Sequence, residues 1–337
     1  MALDRRTLLK ASAATAAGAG LVVDVEAQAQ GRATVNLQLG WILSGNQIGE
    51  VCAKHLGYYE AEGLDLRFQS GGPNIDGVAI VAAGRFEVGQ VSSSPSLMLA
   101  ASQDIPIRCF AAGAQVHPFS YISRARNPVR QPRDLIGKKI GTQSTAIILL
   151  RALLAKNNIS EREVTIIPIG SDMSPLMTGQ VDVVTGWLTN TTALRVVQDA
   201  VVMRLWDTGV RLYALPYYAT AQTIERRGDV LAKFLRASGR GWAYAHANRP
   251  QAVDFLIKEF PNLNRADEIE ALEVMLAYAF GPKTASEGWG TMDPEVWREQ
   301  IELYAQLGQF SRRTPRLEEV MTLDILRQTA GARPMIG

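Results

Sequence analysis

The sequence predicts an α/β fold made of two similar lobes, each a mixed, mostly parallel sheet flanked by helices. Three observations carry this. From Thr34 onward short β-branched or apolar runs alternate with helical stretches, the pattern of parallel βαβ units. A local phrase recurs, Gly84-Arg85-Phe86-Glu87-Val88 and Gly179-Gln180-Val181-Asp182-Val183. In each, a glycine stops a helix and an acid soon opens an apolar strand. The 337 residues exceed the usual ~100–200 for one domain.

In the first series, residues 35–41 read as a strand and 47–56 as a helix ended by Gly57. A strand follows over 64–68 and a helix over 74–83, stopped by Gly84. The series continues with a strand over 86–91, a helix over 95–102 and a strand over 105–111. After His117-Pro118 the chain passes through Tyr121-Ile122-Ser123 into a loop with Pro128 and Pro132. The second series places strands at 139–142, 164–169 and 181–186, helices at 146–156 and 175–178, and a closing strand at 200–206. The aromatic, β-branched run 213–223 reads as the segment returning between lobes. Beyond Val230 the pattern is helical: Leu231, Phe234, Leu235, Ser238 and Trp242 share one face. Helices follow over 252–259, 268–279 and 294–306. This tail is expected on the outside of the lobes. The expected organisation is residues 30–117 as lobe 1, 118–217 as lobe 2, and 218–337 as the return to lobe 1 with the C-terminal helices. Hinge crossings are expected near Ser120 and Ala219.

Residues 1–29 read as an export signal. Asp4-Arg5-Arg6-Thr7-Leu8-Leu9-Lys10 precedes an Ala/Gly-rich apolar stretch and Ala27-Gln28-Ala29, a small-x-small cleavage site. The stretch is shorter than the ~20 residues of a membrane span. The paired arginines resemble a twin-arginine signal. Cleavage near Ala29 and a periplasmic location are expected.

Charge excludes one partner class and leaves a local asymmetry. A total of 35 basic and 33 acidic side chains gives +2, no footing for sequence-independent nucleic-acid binding. Residues 118–212 carry 12 basic and 7 acidic side chains, against 5 and 7 over 30–117. The second lobe is the more cationic, and such charge attracts an anionic solute only where it faces the cleft.

Motifs of catalysis are missing: there is no Gly-x-Ser-x-Gly, His-Glu-x-x-His, phosphate loop or Cys-x-x-Cys. His55, His117 and His246 lack metal-ligand spacing and read as structural or surface residues. No metal or cofactor is expected. Cys52 and Cys109 read as free, buried, small hydrophobes, with one bridge in an oxidising compartment as the alternative.

The chain does carry repeated strand-to-helix junctions rich in hydroxyls, amides and glycine: Ser44-Gly45-Asn46, Ser70 to Asn74 and Ser92 to Ser96 in the first lobe. The second offers Gln143-Ser144-Thr145, Gly170-Ser171-Asp172 and Thr189-Asn190-Thr191. Ligands of open parallel sheets bind beyond the strands' carboxyl ends, beside helix N-termini. Each junction alone is most often an N-cap, but facing lobes would aim both groups into one cleft. Trp41, Trp187 and Tyr217-Tyr218 stand at the same edges and could stack on a flat ligand or pack in the core.

Five ordered stretches carry a family resemblance: residues 57–65, GYYEAEGLD, close to a "GYFxxEGLDV" pattern; 82–89; 134–141; 176–183; and Phe234-Leu235-Arg236-Ala237 with Gly241-Trp242. Over about residues 35–256 the chain resembles periplasmic solute-binding proteins of ABC transporters, in the branch handling thiamine pyrimidine precursors, nitrate, taurine and alkanesulfonates. The resemblance implies a type II periplasmic binding protein, a monomer that closes two lobes on one small polar or anionic molecule and hands it to a membrane permease. It places ligand contacts at Trp41, Asn46, Ser93, Ser94, Gln143, Ser144, Thr145, Trp187, Thr189 and Asn190. Tyr217 joins them from its place in the returning segment. Thr189-Asn190-Thr191 departs from the acidic or Tyr-rich turns of pyrimidine-precursor binders. The alternative is a pyrimidine synthase on the same fold, consuming its own histidine and using lysine-bound pyridoxal phosphate. Lys54 and His55 are its candidates, although the cysteine-rich motif of that group is absent.

Overall fold

The computed structural model describes residues 31–72 and 75–337. The expected export signal and its cleavage site lie outside the described residues.

Strands β1 (Ala33–Leu39), β2 (Leu64–Gln69), β3 (Val88–Gln90) and β4 (Ile107–Ala114) come first, then β5 (Phe119–Arg124), β6 (Lys139–Thr142), β7 (Thr165–Pro168), β8 (Val183–Trp187), β9 (Ala200–Arg204) and β10 (Ala214–Thr220). They form two five-stranded sheets of the same design, ordered β2-β1-β3-β10-β4 and β7-β6-β8-β5-β9. In each, three parallel strands are followed by an antiparallel one. The repeated sequence phrase is structural: Gly84 and Gly179 adopt φ of 74° and 76°, a left-handed helix stop that glycine reaches without steric cost.

The helices of the first series are α1 (Ile48–His55), α2 (Tyr58–Ala61), α3 (Gly77–Ala82) and α4 (Pro95–Ser102). The second has α5 (Ile147–Lys156), α6 (Ser174–Met177) and α7 (Thr191–Leu194). The tail adds α8 (Ala221–Arg226), α9 (Gly228–Ala247), α10 (Arg249–Glu259), α11 (Arg265–Ala279), α12 (Pro282–Glu287), α13 (Pro294–Gln306), α14 (Leu317–Val320) and α15 (Asp324–Gln328). The face of α9 read from the sequence, Leu231 to Trp242, is fully buried. Among the described residues no helix is long and apolar enough to cross a membrane.

Two expectations change. Residues 119–124 form β5, a central strand of the second sheet, where the sequence suggested only passage to a loop. Ser120 and Ser123 are fully buried in it. Their hydroxyls contact the carbonyls of Pro118 and Val201, and Ser123 Oγ also accepts from Val129 N, so two serines that look exposed are interior. The chain also changes sheet at residues 115–118 and 205–213, so Ser120 and Ala219 lie inside strands, and residues 214–217 already belong to the first sheet.

These crossings locate the cleft. β4 runs parallel to β3, and β5 antiparallel to β8. The four residues 115–118 therefore join the carboxyl edge of the first sheet to that of the second. Residues 205–213 join the same two edges, from the end of β9 to the start of β10. With both connections this short, the carboxyl edges face each other, the position at which open sheets bind ligands.

Candidate functional site

On the first lobe, Trp41 follows β1 and is 43% exposed. Asn46 sits in the turn Gly45–Gln47, whose capping box uses Ser44 and Gln47. Ser93, just beyond β3, pairs by backbone with Ala214 at the second crossing, and its buried Oγ has no partner. On the second lobe, Gln143 follows β6, and Ser144 and Thr145 are exposed in the turn it caps. Trp187 ends β8 half-buried, followed by Thr189 and Asn190. Asn190 accepts from Ala193 N as the N-cap of α7, so its amide oxygen serves the helix first.

Two expected contacts turn away from the edge. Ser94 is fully buried, donating to Gln300 Oε1 at 2.6 Å and accepting from Tyr213 N at 3.2 Å. Tyr217 is packed among Phe110, Phe234 and Trp289, and its hydroxyl donates to Glu50. Strand alternation explains this: at its register in β10 the side chain points to the α1–α9 face.

The structure gives His117, read from the sequence as a structural or surface residue, a buried place beside the cleft. His117 lies in the first crossing, 1% exposed, with its ring edge-to-face on Trp187 at 5.0 Å. Its Nδ1 accepts from Phe119 N at 3.2 Å, which leaves the proton on Nε2. Burial pushes its pKa down to about 3, so the imidazole is neutral. Leu188 N donates to Pro118 O at 3.0 Å, tying the Trp187 turn to the same crossing.

Helix α11 is the larger surprise, since the tail was expected outside the lobes. Its first turns bridge them. Asp267 and Glu270 take Arg195 at 2.8 and 2.9 Å, and Thr191 Oγ1 donates to the Asp267 carbonyl at 3.4 Å. On the other side Glu268 accepts from the Gly45 amide, although burial raises its pKa. A Cβ at Gly45 would lie 2.3 Å from Glu268 Oε2. The helix N-terminus at Ser44-Gly45-Asn46, read as open to an anionic ligand, thus receives a carboxylate of the chain itself. No local sequence signal links residues more than 200 apart.

Between α7, β9 and α11 lies a cavity of about 610 Å³, lined from both lobes by Val116, Leu188, Leu194, Val274, Ala277 and Tyr278, with Arg195, Arg204, Glu270 and Thr191. Its cations are matched: Arg195 as above, and Arg204 by Asp207 at 2.7 and 2.8 Å. The other cations of the second lobe from Arg124 to Lys139 stand at the opposite, amino edge of its parallel strands. Among the described residues no cluster of His, Cys, Asp and Glu could hold a metal. Lys54 and His55 lie at the far end of α1, both paired with Glu259, and His55 stacks on Phe255. Eight residues of helix put them about 12 Å from the strand edge. Cys52 and Cys109 are free and buried.

A family model described as NMT1/THI5 like matches residues 44–252. The chain belongs to the NMT1/THI5-like family. Relatives include the riboflavin-binding protein RibY of Chloroflexus aurantiacus, 26% identical over 76% of this chain and 75% of that protein. Another is a formylaminopyrimidine-binding protein of Halalkalibacterium halodurans, 24% identical over 80% and 83%. The periplasmic aliphatic sulphonate binding protein SsuA of Escherichia coli superimposes with a TM-score of 0.68 at 15% identity, over 88% of this chain and 99% of its own. The desulfurization enzyme DSZB superimposes at 0.60 and 14%, over 88% and 99%. This family member therefore has the two-lobed periplasmic binding protein fold, which also occurs in an enzyme.

Proposed function

We propose that the chain is the solute-binding component of an ABC importer, exported to the periplasm. It captures one flat, polar organic solute between its lobes and delivers it to a membrane permease. In this reading it acts as a monomer, binds without chemistry, and needs neither cofactor nor nucleic acid. The observation that carries it is the pair of crossings that set two carboxyl edges face to face, with Trp41 on one and Trp187 on the other. Stacking on these rings would hold a flat solute, and Asn46, Ser93, Gln143, Ser144, Thr145 and Thr189 would supply hydrogen bonds. Ser94 and Tyr217 would act from behind, by holding the crossing and the first-lobe core.

Of the solutes named for its relatives, the wall chemistry favours the ring compounds, riboflavin or formylaminopyrimidine, over a sulfonate. Arg195, Arg204 and the Gly45 amide all have carboxylate partners already, and an anion buried there without a cation of its own is costly. A pyridoxal phosphate enzyme is disfavoured by the place of Lys54 and His55.

Thermal shift and calorimetry with riboflavin, formylaminopyrimidine and ethanesulfonate test this. A ring compound should stabilise the fold, and Trp187→Ala should weaken it about tenfold, the size of an aromatic stacking contribution. Stabilisation by ethanesulfonate alone would reverse the choice of solute. No response to any of the three would reject the reading.

A further inference from the structure

We infer that the cavity between α7, β9 and α11 is the compartment that takes the apolar body of the bound solute, an uncharged ring or chain, and that Arg195 is the clasp that holds its two walls together. This rests on the solute-binding reading above and adds to it where the solute lies and what holds it.

The cavity is built by both lobes and by the crossing between them. Val116 neighbours His117 and Leu188 neighbours Trp187, so the compartment adjoins the Trp187 end of the facing edges. Its volume of about 610 Å³ falls within the ~300–1,000 Å³ of sites for drug-sized ligands, and a small oxyanion would leave most of it empty. Its walls are mainly Val, Leu, Ala and a tyrosine ring, while both arginines are committed to carboxylates. Such walls match an uncharged body, because a second anion would find no free cation.

The clasp follows from which elements it joins. Arg195 stands just beyond α7 on the second lobe, and Asp267 and Glu270 belong to α11, whose Glu268, between them, rests on Gly45 of the first. Exposed pairs add little to stability. This one spans the cleft, so it exists only in the closed arrangement, and an interaction made in one state shifts the balance towards it. Arg195 touches the cavity rim and acts on the solute through closure.

Stopped-flow and equilibrium binding of riboflavin to the full exported chain test both parts. Ala277 is exposed in the cavity wall, so Ala277→Trp fills the space without entering the core. It should weaken binding about tenfold or more while leaving the melting temperature unchanged. Arg195→Ala should speed dissociation about fivefold with little change in association. The gap should close at high salt, and Arg195→Lys should restore part of it. Unchanged binding by Ala277→Trp would overturn the compartment, and an unchanged dissociation rate in Arg195→Ala would overturn the clasp. Should riboflavin fail with the native chain, formylaminopyrimidine replaces it. Should both fail, amide exchange of the solute-free protein decides the clasp: faster exchange over residues 191–195 and 265–271 in Arg195→Ala upholds it while the solute reading falls, and identical exchange rejects both.

Discussion

Replacing Glu50 by glutamine should stabilise this protein, and increasingly so as pH rises. Glu50 is fully buried in α1 and accepts from the Tyr217 hydroxyl. Its other oxygen lies beside Trp242 Nε1 without a well-formed hydrogen bond. Desolvation raises its pKa from 4.5 to about 8, only partly offset by backbone and indole donors. Between those values the folded protein holds a proton that the unfolded chain has released, so stability is lost as pH rises from about 4.5 to about 8. At about 1.36 kcal/mol per unit, the loss approaches 4 kcal/mol near pH 8 and is under 1 kcal/mol near pH 5. Glutamine keeps a carbonyl acceptor and replaces the acid's hydroxyl by an amide group with two N–H donors, with no proton to lose. Glu50→Gln should therefore melt within about 1 °C of the native protein near pH 5 and roughly 5 °C above it near pH 8, for a chain of this size. Scanning calorimetry at several pH values reads this directly, and titrating groups away from Glu50 are common to both proteins and cancel, while Cys52 and Tyr59 beside it stay protonated below pH 8. A melting difference that does not grow with pH, or a variant less stable near pH 8, would show that Glu50 is ionised in the folded state and the reasoning is wrong.

Two further outcomes follow from packing. Helices α1 and α9 touch backbone to backbone, and a Cβ on Gly241 would fall 1.9 Å from the Gly49 carbonyl oxygen; Gly241→Ala should cost about 3 kcal/mol, read as a lowered denaturation midpoint. Burial pushes the Cys52 thiol up to about 12 and raises that of Cys109 further, so neither should react with a thiol reagent in the native protein and both should in denaturant. A disulfide on a non-reducing gel would contradict this.

What the sequence made legible was local. Gly84 and Gly179 ended helices in the left-handed region, as glycines placed before apolar strands do. The buried stripe of α9 could be read from its spacing, because every residue that decides it lies within a few turns. β5 escaped because Phe-Ser-Tyr-Ile-Ser places a serine on each face, breaking the apolar run expected of a buried strand, and only its internal place in the second sheet makes both faces interior. Trp41, Ser93, Gln143 and Trp187 stand at or just beyond strand ends, as the spacing of the sequence suggested. Tyr217 lies in β10, buried on both faces as β5 is, and Ser94 is turned inward by Gln300 and the Tyr213 amide, partners more than 100 residues away. His117, Glu268 and Arg195 carried no signal, since each owes its role to a partner 70 or more residues away.

The two faces of the second sheet are held differently, and this bears on how the cleft can open. Tyr121 of β5, with Leu149, Leu150 and Leu153 of α5, joins the main apolar core that runs through the first lobe, and α5 packs on α13 there. The opposite face, with Ile122, Met173, Leu176, Val184 and Val197, forms a separate small cluster under α6 and α7. On the α13 side, parting the lobes would expose continuous apolar surface at about 25 cal/mol per Å². On the α7 side it would break polar contacts beside an existing cavity: the Arg195 pairs, those of Thr191 and Thr192 with Asp267, and that of Arg204 with Tyr278. Opening is therefore cheapest as a rotation about the α5–α13 contact that lifts α7 from α11. Both crossings then bend little, because each is short and enters a strand of the lobe it reaches, β5 in one and β10 in the other. A solute entering by this flank would pass α11, a helix of the tail that sequence assigned to the exterior, on its way to Trp187.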